Sequence, residues 1–332
     1  MNTTLDRCGH VQVIVNPISG RAGSRVVVAA LCRQMRRAGY AVDVHTTRGP
    51  GEARTIARRL CRKSLLGTAR RCHAPPFATA RNATTLVVCG GDGTISEVVD
   101  GLLTDDIPVL LVPGGTENLL ATYFGIPLDA ATLWDVFRRG REVRLDVALR
   151  DDRRFLMVAG VGSDAEVVRL LSRQRRGHIS YWNYVRPIWQ TLWHYHHPNL
   201  WVEADGTLIH QGPGWALVGN VPQYAMGLQL LHRARPDDGL LDVCVLPFRG
   251  NARLLWHLWK VLLGQTDADR TIVYKQARRV RIWSDRQVPL EVDGDVAGSL
   301  PAQFRLAPQK VRFLVPNTWQ PPQPAAQSNG YD

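Results

Sequence analysis

Apolar residues come in short blocks through the first 140 positions, and the spacing between blocks alternates. VQVIVNP (11–17) is a continuous apolar run stopped by Asn-Pro, as expected of a buried strand. SGRAGSRVVVAALCRQMRRAGY then gives a glycine-rich turn and an apolar repeat of helical period that ends near Gly39. AVDVHTT (41–47) predicts a second strand and GEARTIARRLCR (51–62) a second helix. TLVVC (85–89) and PVLLVP (108–113) predict two more strands, each followed by a glycine turn and a helix. Apolar strands alternating with helices predict a parallel sheet covered on both faces. Residues 63–84 have no clear period and contain Pro75-Pro76, so they read as a basic surface insertion.

After Gly140 the period changes. REVRLDVAL (141–149), RFLMVAG (154–160), LWVEADGTLIHQ (200–211), GWALVGN (214–220), LLDVCVLP (240–247), RVRIWS (279–284) and VPLEVDGDVAG (288–298) read as strands joined mainly by turns. Asp205-Gly206, between two alternating runs, is a strong hairpin signal. Helical stretches interrupt the series at 178–195 and 251–264, and FRL and VRFLV near the end fit either domain. The expected organisation is an α/β domain over residues 1–141, a mainly antiparallel β domain over 142–316, and a Pro-rich, polar, disordered tail over 317–332.

Composition changes this picture in two respects. The formal charge is +12, and arginine supplies 37 of the 41 basic residues. Its planar fork suits phosphate, so an anionic partner is expected: nucleotide, nucleic acid or anionic membrane. Cysteines at 8, 32, 61, 72, 89 and 244 form no C-x-x-C pair, which argues against a zinc or disulfide framework and for a reducing cytoplasm. The opening MNTTLDRCGH lacks the apolar core of a signal peptide, and no uncharged apolar run is long enough to span a bilayer. Membrane contact is therefore expected to be peripheral, at the inner face.

Three glycine turns stand at predicted strand ends: NPISG (16–20), GGDGT (90–94) and PGGTENLLA (113–121). In an open parallel sheet ligands bind beyond the carboxyl ends of the strands. Glycine admits phosphate oxygens to backbone N–H groups, and the following helix offers its positive end. Asp92 would sit where phosphates and a magnesium ion meet. No Walker sequence is present, so phosphate binding here is of another kind.

On NPISG, GGDGTISEVV and GTENLLA, in that order and rough spacing, the chain resembles the diacylglycerol kinase catalytic-domain superfamily, which includes bacterial lipid kinases and sphingosine kinases. VAGVGSDAEV (158–167), ARPDDGLLDV (234–243) and EVDGD (291–295) extend the resemblance and separate it from NAD kinases, which share GGDGT. The resemblance implies ATP contacts from Asn16, Pro17, Ser19, Gly20, Thr47, Gly90, Gly91, Asp92, Gly93, Thr94, Ser96, Glu97, Gly115, Thr116 and Asn118. It implies a structural magnesium at Asp238 and the backbone carbonyls of Arg235 and Leu240. Asp293 or Asp295 stands at the position of the proton acceptor, with Asp92 close to the phosphates. Alternation along an extended chain would put Asp293 and Asp295 on one side, with the larger loss on substitution expected of Asp293. Two departures stand out: Leu119 replaces a usual aspartate, and Asp295 stands where glutamate is common.

Other features are less telling. GVGSDA (160–165) fits a dinucleotide fingerprint, but no acidic residue stands about twenty positions on. HYHHP (194–198) reads as a surface cluster rather than a metal site. Arginines interleave with Tyr and Trp over 173–197, as in interfacial membrane segments. Together these readings imply an ATP- and magnesium-dependent lipid kinase, with the active site in a cleft between the domains. Its partners would be a lipid acceptor and an anionic membrane surface, with no nucleic acid. The alternatives are a kinase of a sphingoid or soluble acceptor such as NAD, or a catalytically silent membrane-binding homologue. Oligomeric state is left open.

Overall fold

The computed structural model describes residues 9–20, 22–67, 84–162, 198–222, 230–248 and 271–321, with isolated positions 250, 253, 256, 257, 259, 260 and 269. The chain divides into two compact units, and the first takes residues through Leu145 together with Gln309–Trp319. Strands are numbered along the whole chain. In the first unit β1 (His10–Val15), β2 (Ala41–Thr46), β3 (Thr84–Gly90) and β4 (Val109–Pro113) are parallel. The sheet order is β2-β1-β3-β4, followed by β17 (Val311–Val315) and β5 (Arg141–Leu145).

Helices α1 (Ala22–Arg37), α2 (Glu52–Gly67), α3 (Asp92–Gly101), α4 (Leu119–Tyr123) and α5 (Ala130–Arg139) belong to the same unit. The central strands are apolar throughout because both their faces are covered: Val87, Val88, Cys89, Leu110 and Leu111 are fully buried. Burial also pushes the Cys89 thiol up to about 11, so it behaves as a core residue. α2 and α3 approach closely at Gly101, where a Cβ would lie 2.4 Å from the Arg54 carbonyl oxygen. α5 is capped by Asp129, whose carboxylate accepts from the Thr132 N–H and hydroxyl.

Three expectations are corrected here. α2 continues to Gly67, so residues 63–67 of the expected insertion are helical, while 68–83 lie outside the described residues. The expected second domain of 142–316 loses both its ends. β5 and β17 pair with each other and join β4, with buried Val311 and Phe313, so the edge of β4 is covered rather than left open. The expected disordered tail begins too early. Trp319 donates its indole N–H to the Tyr123 carbonyl, packs on Phe124 and carries the Arg141 guanidinium over its ring, and Asn317 bonds the Arg139 carbonyl.

The second unit is built on Asp146–Pro308. Its strands are β6 (Ala148–Arg150), β7 (Arg153–Phe155), β8 (Val158–Val161), β9 (Asn199–Ala204), β10 (Thr207–Gly219) and β11 (Leu241–Pro247). They continue with β12 (Val273–Ala277), β13 (Arg279–Ser284), β14 (Pro289–Val292), β15 (Asp295–Ser299) and β16 (Ala302–Leu306). Every pairing among them is antiparallel. Long β10 ties the set together: its first half pairs with β9 and its second with β8 and β11. Alternate residues of these strands, among them Val202, Val218, Val243, Ile282, Leu290 and Phe304, form one buried core.

The hairpin expected at Asp205-Gly206 is present, with φ of 47° and 83°, the left-handed pair that a two-residue primed turn needs. The helix expected at 178–195 lies outside the described residues. Within 251–264 the described positions 253, 256, 257, 259 and 260 are helical.

Candidate nucleotide and acceptor sites

The three glycine turns of the first unit converge at the carboxyl ends of β1, β3 and β4. The Asn16 N–H bonds the Cys89 carbonyl and the Gly114 N–H bonds the Gly90 carbonyl at 2.8 Å, so the strand ends are stitched side by side. The Asn16 side-chain amide donates to the Thr94 hydroxyl at 2.9 Å, and the Ser19 hydroxyl donates back to the Asn16 carbonyl at 2.7 Å. A Cβ on Gly115 would lie 2.6 Å from the Cα of Gly91, and one on Gly114 would lie 3.0 Å from the Ser19 hydroxyl. On Gly90 it would lie 2.6 Å from the Thr94 side chain. The adjacent glycines are thus required by the chain itself: one bare turn lies flat against the other, and no ligand need be invoked to explain them.

What a ligand would meet is the rim of that contact. Asp92 is the first residue of α3, partly exposed, at the end of the helix where the macrodipole is positive. Gly93 beside it is exposed, and Thr116 and Gly115 are partly so. Pro17 and Gly20 share the partly exposed rim of the first turn. Other residues expected at the nucleotide are engaged with the protein. Asn118 is buried in a left-handed conformation and closes its own turn, accepting from the Gly115 N–H at 2.6 Å and donating to the Gly115 carbonyl. The Glu97 carboxylate accepts from the N–H groups of Gly51 and Ala53, which fastens the start of α2 and with it the loop after buried Thr47. Ser96 is buried within α3.

In the second unit Asp293 and Gly294 are the central pair of the β14–β15 turn, with φ of 51° and 81°. The expected placement of Asp293 and Asp295 on one side therefore fails, because alternation holds only along extended backbone. Asp293 turns inward: its carboxylate accepts from the N–H groups of Leu156, Met157 and Val158 at 3.0–3.2 Å, and its own N–H bonds the Val158 carbonyl. Asp295 opens β15, paired across the turn with Val292, and is partly exposed.

The turn Arg235–Leu240 carries a cluster of aspartates. Asp238 accepts from the Leu240 N–H at 3.0 Å and from Gln276, and burial followed by the nearby Asp146 and Asp237 charges raises its pKa. Asp242 is fully buried and bonded to the Tyr274 hydroxyl at 2.8 Å; burial first, and then the Asp238 charge, push its carboxyl up to about 6. Two fully buried side-chain oxygens beside them, Asn220 Oδ1 and Asp242 Oδ2, lack a hydrogen-bond partner. Among the described residues no three His, Cys, Asp or Glu side chains are grouped to hold a metal. One carboxylate with two backbone carbonyls is a different donor set, and the crowded, undersatisfied oxygens around it suit a cation.

Sequence reading missed Asp146. It is buried, accepts from the Gly239 N–H at 2.9 Å through its side chain, and takes the Asn220 amide on its carbonyl. A carboxylate interrupting the apolar run LDVAL was the available signal.

Similarity to known proteins agrees with this geometry. Residues 10–149 match the model of the diacylglycerol kinase catalytic domain, and residues 157–315 that of the YegS C-terminal NAD kinase beta sandwich-like domain. A diacylglycerol kinase of Staphylococcus carnosus is 25% identical over 92% of this chain and 95% of its own length. One from Bacillus subtilis is 26% identical over 92% and 96%. A solved structure from Bacillus anthracis str. Sterne superposes with a TM-score of 0.73 at 19% identity, covering 93% of this chain and 98% of that one, which shows a shared fold. With both domains matched in tandem and the glycine turns joined at the strand ends, the chain belongs to the diacylglycerol kinase catalytic-domain superfamily.

Proposed function

We propose that this protein transfers the γ-phosphoryl group of ATP to a hydroxyl of a lipid such as diacylglycerol, with magnesium. The observation that carries the reading is the joined set of glycine turns, with Asp92 at the positive end of α3 on its rim. Backbone N–H groups there would take phosphate oxygens, and Asp92 would orient the metal–phosphate group. Such transfer depends on positioning and charge stabilisation, which preformed turns supply without reorganisation. Asn16, Ser19, Asn118 and Glu97 act in this account by holding the turns and the Thr47 loop in shape.

On the acceptor side Asp295 takes the hydroxyl proton. Asp293 is the weaker candidate because its carboxylate is turned inward and already accepts from three backbone N–H groups. Asp238, with the carbonyls of Arg235 and Leu240, would hold a structural magnesium, which would offset the mutual repulsion of Asp146, Asp238 and Asp242 that Arg233 and Arg235 already temper. The lipid acceptor is also in keeping with the diacylglycerol kinases to which the chain is similar.

The reading is tested by incubating the protein with magnesium ATP and, in parallel, an extracted lipid mixture or NAD. A phosphorylated lipid found by mass spectrometry supports it. Phosphorylated NAD alone, or ATP turnover that no lipid accelerates, would refute the acceptor class.

A further inference from the structure

We propose that Trp256 and Trp259 form a docking surface for an anionic lipid bilayer. Both lie on the helical stretch whose described positions are 253, 256, 257, 259 and 260. Three residues apart, they share one face of it. Trp256 is 49% exposed and Trp259 56%, the two most exposed aromatic side chains among the described residues. Two large rings left half in water on one turn of helix are unusual unless something covers them.

The opposite face is pinned. His257 is fully buried, with Nε2 2.9 Å from the Pro247 carbonyl and Nδ1 3.2 Å from Asp269. The buried Asp269 carboxylate also accepts from the Thr271 hydroxyl at 2.6 Å and lies 3.4 Å from Lys260 and 3.9 Å from Arg253. The anchor therefore keeps its negative charge inside while the cations reach the surface. Lys260 stands 5.3 Å over the Trp256 ring and the Arg253 side chain is 43% exposed. From 243 to 266 the chain has no Asp or Glu at all. Indole rings flanked by cations, whose one close carboxylate among the described residues is the buried Asp269, match the headgroup layer of an anionic bilayer better than a protein surface. The aromatic stretch 173–197 lies outside the described residues.

The inference deepens the lipid-kinase reading, because a lipid acceptor resides in such a surface, but binding is measured without catalysis. The probe is sedimentation with vesicles of phosphatidylglycerol and phosphatidylcholine, compared with vesicles of phosphatidylcholine alone. The wild type should bind the anionic vesicles, less so as salt rises. Trp256→Ser with Trp259→Ser should weaken binding by about tenfold or more, the effect of removing two interfacial rings. Its melting temperature and its turnover of a short-chain, monomeric diacylglycerol should be unchanged. Trp256→Tyr with Trp259→Tyr, which keeps interfacial rings, should retain most of the binding.

A folded serine variant that binds vesicles like the wild type overturns the proposal, as does a wild type that binds none. A wild-type dimer that the serine variant dissolves, with vesicle binding unaltered, would assign the face to a second copy of the chain and also overturn it. Tryptophan-dependent vesicle binding by a protein that phosphorylates no lipid would leave this surface standing and refute only the acceptor assignment.

Discussion

A methyl group on Gly115 would press on the backbone of Gly91, and backbone cannot turn aside as a side chain can. Gly115→Ala is therefore expected to cost about 1–3 kcal/mol and to weaken ATP binding by parting the two turns. Thermal melting and an ATP titration check this; a variant that melts and binds like the wild type would mean the turns are not in tight contact. The acidic pair at the β14–β15 turn separates stability from catalysis. Asp293→Asn places an amide N–H among three donors, so it should lower the melting temperature clearly. Asp295→Asn should leave melting unchanged and lower kcat by about a hundredfold, roughly 3 kcal/mol, with KM for ATP little affected. The reverse pattern would give Asp293 the proton. At this scale the sequence shows where chemistry-bearing residues stand but not which way they face. Alternation predicted one side for both aspartates, and a left-handed pair at 293–294 undid it. The glycines announced a close approach, and their partner proved to be another stretch of the same chain.

Two short elements carry charges whose effects can be measured without any assay of activity. Asp269 pins the helical stretch at 253–260; burial opposes its charge, but the Thr271 hydrogen bonds and then His257 and Lys260 prevail and hold it at about 2, below its ordinary 3.8. A carboxylate lowered in the folded state contributes stability above its unfolded pKa and loses it as pH falls through the folded one. Asp269→Asn should thus cost about 2 kcal/mol at neutral pH, with the difference shrinking between about pH 4 and pH 2. Urea denaturation across that range checks it, and a pH-independent difference would mean the charge is not what holds the helix. In the turn Arg235–Leu240, magnesium should raise the melting temperature of the wild type but not of Asp238→Ala. An equal rise in both would place any bound metal elsewhere. Most elements were legible because period and turn chemistry are local, as at the Asp205-Gly206 hairpin. The end of α2 was marked too, by Leu65 at helical spacing from Cys61 and by Gly67, but the basic, proline-rich stretch beyond it obscured the signal.

Across the molecule, the long-range joins were the least legible. β5 and β17 are short strands that would suit either sheet, and their place in the order β4-β17-β5 depends on pairings between residues more than about 160 positions apart. Trp319 sits in a sequence whose composition predicts disorder, yet one indole finds Tyr123, Phe124 and Arg141. The α/β and antiparallel β character of the two units was readable from period alone, and the family from three glycine turns and two acidic ones. Among the described residues no helix is long and apolar enough to cross a membrane. The central claim, that this glycine-turn scaffold passes a phosphoryl group from ATP to a lipid hydroxyl, is tested most directly by following labelled γ-phosphate from ATP into diacylglycerol, with wild type and Asp92→Asn side by side. The wild type should label the lipid only when magnesium is present, and a variant that melts like it should do so at least about a hundredfold more slowly. Unlabelled lipid with an active, folded wild type, or equal labelling by the variant, would contradict the account.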